Sequence, residues 1–155
     1  MQFVAKDDID APMEELFRAL SDFEGIERSA IRRGVEVKRQ GDISAPALGL
    51  EWDSEFTFRG AQRKASIQLV EFEPSTQMAF AGESSGISSH MVVELIALSA
   101  RRTRLIVTVK LKPKTLAGRL MVQSLKLVRG KVVRRFRTRV GDYARMAVNK
   151  TSQVS

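Results

Sequence analysis

The chain of 155 residues has no cysteine. That excludes disulfides, thiolate metal ligands and a cysteine nucleophile. It fits a reducing cytoplasm, the expected location. Histidine, tryptophan and tyrosine occur once each, as His90, Trp52 and Tyr143. One histidine among scattered carboxylates makes no ligand cluster, so no metal is expected. There is no glycine-rich phosphate loop of the P-loop or dinucleotide type, and no cofactor is implied. No run approaches the roughly 20 apolar residues of a membrane span. The opening MQFVAKDDID is acidic and lacks a long apolar stretch, so it does not read as a signal peptide.

Acidic residues are scarce in one part of the chain. Residues 101–155 hold 16 Lys/Arg and a single acid, Asp142, whereas residues 1–100 hold 10 Lys/Arg against 17 Asp/Glu. Such asymmetry marks either a surface for nucleic acid or anionic membrane, or a solvated helix face rich in arginine. What is plentiful is core material. Hydrophobic residues make up 43%, which suits a packed interior. The length suits one domain, expected over residues 1–150 with a frayed tail at 151–155.

Hydrophobic periodicity orders the chain. Residues 2–10 read as a strand with Phe3 and Ile9 inward. Pro12 stands where the first helical turn tolerates a missing N–H. Glu14 and Glu15 favour the positive end of that helix dipole. Met13, Leu16, Phe17 and Leu20 form its apolar stripe. Ser21 and Asp22 read as a break and a new N-cap. A second short helix is expected from about Phe23 to Ile31, ending near Gly34. The period then becomes twofold. Val35 and Val37 alternate with charges, and a loop, GDISAPALG, follows. In Leu50–Arg59 the alternation is nearly strict, with Leu50, Trp52, Phe56 and Phe58 on one face. Further strands read as Gln62–Phe72, Gln77–Gly82, Ser88–Leu98 and Thr103–Lys112. Short turns between them predict a sequential antiparallel meander.

From about Thr115 to Lys150 the pattern is helical, about ten turns long. Met121, Val122, Leu125, Val128, Val132, Phe136, Val140, Tyr143 and Ala147 share a broad face. Gly130 is the natural place for a bend. Only an extended sheet of six or seven strands buries so long a face. The fold class is therefore α+β: a curved antiparallel sheet wrapped around a long C-terminal helix.

This order of elements, together with three local phrases, resembles the START/Bet v 1-like (SRPBCC) superfamily and its helix-grip fold. Ile9–Asp22 is similar to the family's opening, an aliphatic residue, Ala11-Pro12, then a helix ending near an aspartate. Val70-Glu71-Phe72-Glu73-Pro74 is similar to its mid-sheet turn. Arg101-Arg102-Thr103-Arg104-Leu105 is similar to the start of its last strand, with the usual glycine replaced. The resemblance covers nearly the whole chain. It implies a cavity between the concave sheet face and the long helix. Members include polyketide cyclases and aromatases, lipid and sterol transfer proteins and hormone receptors. No family catalytic motif matches residue for residue, so no catalytic role is carried over.

The expected wall of such a cavity is Trp52, Phe56, Phe58, Met78, Phe80, Met91 and Leu95, facing Leu125, Val128, Val132 and Phe136. The same residues would equally pack against one another as core. His90 shares a strand face with Ser88 and Glu94, at about 7 and 13 Å for residues two and four apart. Direct contact with Glu94 is therefore not expected, and His90 is either an acid–base group or a structural histidine. Arg129 lies at the edge of the apolar helix face. It either reaches inward to a carboxylate or phenolate, or snorkels outward. Tyr143 reads as core with its hydroxyl at the rim.

Three functions follow as expectations. The leading one is a binding or carrier domain for a hydrophobic or amphipathic small molecule, such as a lipid, isoprenoid or polycyclic aromatic. The second is a polyketide cyclase- or dehydratase-like enzyme in the same cavity, leaning on His90 and Arg129. The third is a peripheral membrane or assembly protein. There, Leu116, Leu120 and Leu127 interrupt a polar helix face carrying Arg119, Lys126, Arg134, Arg137 and Arg145. Contact with the short helices or a homodimer interface would explain that face too. Nucleic acid rests on charge alone and is not favoured.

Overall fold

The structure is a computed structural model and describes residues 1–40 and 48–154, with side chains to residue 150. Most of the loop expected at 41–49, and Ser155 of the expected tail, lie outside the described residues; the last helix runs to Val154.

The elements are β1 Gln2–Ile9, α1 Met13–Leu20, α2 Phe23–Arg32, β2 Glu36–Gln40, β3 Glu51–Phe58, β4 Ala61–Glu73, β5 Gln77–Ser84, β6 Ile87–Ser99, β7 Arg102–Pro113, α3 Leu116–Leu127 and α4 Arg129–Val154. Among the described residues one seven-stranded sheet runs in the order β1-β7-β6-β5-β4-β3-β2, every pair antiparallel. β2 to β7 is a meander, and the chain's first strand closes against its last. The helix-grip fold expected from the sequence is the fold observed. No described helix is long and apolar enough to cross a membrane.

Local chemistry explains the punctuation. Asp22 caps α2, its carboxylate accepting from Gly25 N at 3.2 Å, and Thr115 caps α3 by accepting from Gly118 N at 3.0 Å. Two-residue hairpins join β3 to β4 and β5 to β6. Arg59 and Gly60 have φ of 52° and 74°, and Ser85 and Gly86 have the same pair of values. Positive φ at both central positions matches the right-handed twist of the strands they join.

The long C-terminal helix differs from the sequence reading in one respect. It is two helices, broken at Val128 (φ −116°, ψ 29°) and not bent at Gly130. The break lies between two anchors. α3 is pinned at its start, where Lys114 N donates to Gly86 O at 2.7 Å. α4 is pinned at its start, where Arg129 donates to the Gln2 carbonyl at 2.6 Å. Gly130 falls inside the first turn of α4, where its weak helix propensity is tolerated.

The core sits where α1 and the C-terminal half of α4 cover β1, β7 and β6. Leu16, Ile9, Leu105, Leu69 and Ala144 are essentially inaccessible to water. The Thr103 hydroxyl, also buried, donates to the Ala11 carbonyl at 2.8 Å and ties β7 to the turn before α1. This packing covers only part of the concave face.

Candidate functional site

Away from that core, the sheet curves from α4 faster than side chains fill the gap. The result is a cavity of about 710 Å³, within the range of small-molecule sites. Its floor is the concave face of β3 to β7, through Trp52, Ile67, Met78, Phe80, Met91, Val93, Leu105 and Val107. α4 supplies one wall through Phe136, Val140, Tyr143 and Met146, and α2 the other through Phe23, Ile26 and Ala30.

Aromatic packing holds one end. Phe23 meets Trp52 edge-on at 5.2 Å and Phe80 at 6.2 Å. On the α4 side, Phe136 stands edge-to-face on Phe3 at 5.1 Å. These contacts fix the rings from behind and leave their other sides to the cavity.

Polar groups are few and sit on α2, α4 and β3. Glu27 lines the cavity and is held by Arg39 at 2.7 Å, so its charge is already answered. Arg33, Arg139 and Asp142 stand at the exposed rim. Tyr143 is half-buried, and its hydroxyl has no hydrogen-bond partner among the described residues. Burial, and after it the Asp22 carboxylate, push its phenol above the ordinary range. Near neutrality it is therefore a protonated donor on a residue that lines the cavity.

Of the residues expected from the sequence to line the wall, Trp52, Met78, Phe80, Met91 and Phe136 do line this cavity. The others do not, each for a physical reason. Leu95 packs within the hydrophobic core, outside the cavity lining. Phe56 and Phe58 lie toward the β3–β4 hairpin, whose Arg59 reaches Ser124 of α3 at 2.7 Å. The Arg59 and Arg63 guanidiniums each lie over the Phe58 ring there, at 5.6 and 5.8 Å. Leu125 belongs to α3, and Val128 is the break itself, 43% exposed. Val132 sits one turn before Phe136, short of the cavity. His90 is adjacent to Met91 on β6, so alternation places it on the convex face, paired with Ala81 and Lys110. Arg129 spends its guanidinium on the Gln2 carbonyl.

The α2 wall and the β2 side of the cavity were missed. Phe23, Ile26 and Ala30 repeat at helical spacing, and Val35 and Val37 alternate just beyond. The stripe was legible, but periodicity does not say which layer it faces.

No family model matches the chain, and no curated protein sequence matches it. Solved structures are similar over the whole length. Protein TTHA0849 from Thermus thermophilus superposes with a TM-score of 0.72 at 14% identity, over 98% of this chain and 99% of that one. Zhui aromatase/cyclase from Streptomyces sp. R1128 gives 0.68 at 13%, over 99% and 94%. Norcoclaurine synthase from Thalictrum flavum, solved with dopamine and hydroxybenzaldehyde, gives 0.70 at 9%, over 97% and 87%. At such identities the likeness is one of fold.

Proposed function

We propose that this chain, which has the START/Bet v 1-like (SRPBCC) fold, is a binding or carrier domain for a hydrophobic or amphipathic small molecule. The cavity of about 710 Å³ between the sheet, α2 and α4 carries that reading. Its lining is mostly apolar, so transfer of ligand carbon from water supplies the drive, at roughly 25 cal/mol per Å². Tyr143 supplies orientation, by donating to a carbonyl, hydroxyl or ether oxygen on an otherwise apolar body. Isoprenoids, lipids and polycyclic aromatics all offer that combination.

The cyclase-like alternative has lost the two groups on which it leaned. His90 lies on the convex face and Arg129 is spent on Gln2. Of the carboxylates near Tyr143, Glu27 is paired with Arg39 and Asp142 stands at the exposed rim, whereas proton-transfer catalysis needs groups placed on the reacting atoms.

Native mass spectrometry of the protein purified from its own host is the test. A reproducible added mass that organic solvent removes is expected. Val140→Asp, placing a charge in the wall, should lose that mass while keeping the native circular dichroism spectrum. A folded Val140→Asp protein that retains the ligand would sink the assignment of this cavity.

A further inference from the structure

The outer face of α3 has no task in the fold. At about 100° per residue, Leu116, Leu120 and Leu127 fall within about 40° of one another around the helix axis. They are 74%, 60% and 87% exposed. The buried residues of the same helix, Gly118 and Val122, lie on its other side. A single exposed leucine is ordinary, but three aligned on one helix form a patch.

That patch is held facing outward. A Cβ on Gly118 would overlap the Gly86 carbonyl, so α3 rests directly on the β5–β6 hairpin. Lys114 N donates to the same carbonyl at 2.7 Å, and Arg59 reaches Ser124 at 2.7 Å from the β3–β4 hairpin. The helix cannot roll to hide its leucines without breaking these contacts.

The charge around the patch has one sign. From Thr115 to Gly141 the chain carries eight Lys/Arg and no Asp/Glu. Arg119 and Lys126, both exposed, lie together on one side of the leucines, at about 60–120° around the axis. Among the described residues none of the eight forms an ion pair.

We propose that α3 docks on an anionic phospholipid surface. The leucines enter the boundary between headgroups and acyl chains, and Arg119 and Lys126 lie among the phosphates. A second copy of this chain is a poorer occupant, because matching faces would bring uncompensated cations together. Nucleic acid would neutralise the cations but leave the leucines in water. The proposal does not depend on what fills the cavity.

Cosedimentation of the full chain with phosphatidylcholine vesicles, with and without phosphatidylglycerol, tests it. Pelleting is expected with the anionic vesicles only, and weakened in about 1 M salt, where screening is nearly complete. The pair Leu120→Asp and Leu127→Asp, both solvent-facing and so harmless to folding, should weaken it about tenfold or more. Arg119→Gln with Lys126→Gln should weaken it on the anionic vesicles. No pelleting with anionic vesicles overturns the proposal. So does pelleting unchanged by the leucine pair, since charge alone would then be responsible. A dimer in sedimentation velocity that the leucine pair dissolves, in place of vesicle binding, assigns the face to a second copy and overturns it too.

Discussion

Arg145 on α4 donates to the Asp7 carboxylate on β1 at 3.0 Å, and Gly141, one turn earlier, leaves the space for it. A Cβ at Gly141 would overlap the Asp7 carboxylate and come within 2.9 Å of the Arg145 guanidinium. This pair locks the end of α4 to the sheet edge beside the cavity.

Gly141→Ala is therefore expected to lower stability by about 1–3 kcal/mol. That loss overrides the roughly 1 kcal/mol by which alanine favours a helix interior. Gly130→Ala is the control, since its added Cβ would come no nearer than 3.8 Å to Arg134. It should be neutral or stabilising by up to about 1 kcal/mol. Urea denaturation of both variants decides; equal effects would mean that the Asp7–Arg145 contact simply yields.

Tyr143 is the only tyrosine, so phenolate absorbance reports it alone. In the folded protein its midpoint should lie above the ordinary value of about 10 shown in urea. The fold thus holds the phenolic proton more tightly than the unfolded chain does. That contribution to stability is complete below about pH 10 and is lost as pH rises through the folded midpoint. Asp22→Asn keeps an N-cap oxygen but removes the charge, and should lower the midpoint part of the way. A folded midpoint at or below the urea value would contradict the burial of this side chain.

If the Tyr143 hydroxyl orients the ligand, Tyr143→Phe should weaken binding about fivefold, the worth of one hydrogen bond of about 1 kcal/mol. Apolar volume is nearly conserved, so stability should change little. Competition between wild type and variant for a captured ligand, followed by native mass spectrometry, measures the ratio. A ratio near one would remove Tyr143 from the site and leave the apolar walls unaffected.

Phe23 is 3% exposed and touches Trp52, Phe72 and Phe80. Phe23→Ala is expected to cost about 3–5 kcal/mol and to alter the fluorescence of Trp52, the only tryptophan. A small loss with unchanged emission would mean that the α2 wall is not packed on the sheet.

Much of the architecture was legible because its signals are local. Leu50, Trp52, Phe56 and Phe58 alternate because one face of a strand is wet. Asp22 and Thr115 stop and start helices through their own side-chain oxygens. The cavity was legible only in part. Met91 lines it and His90 does not, one residue apart, because register assigns them to opposite faces. Phe56 and Trp52 share a face, yet only Trp52 lines the cavity, because α2 packs over one end of β3 and α3 meets the hairpin at the other.

By itself, the sequence determined the periods, the caps, the missing chemistry of cysteine and metal clusters, and the basic, nearly acid-free C-terminal stretch. Those are properties of neighbours along the chain. Only the tertiary structure decided which inward residues close on one another and which are held apart around about 710 Å³. The reason is physical. Inward direction follows from a two- or 3.6-residue period. The distance between layers follows from the curvature of seven strands and from a helix broken at Val128 between its two anchors.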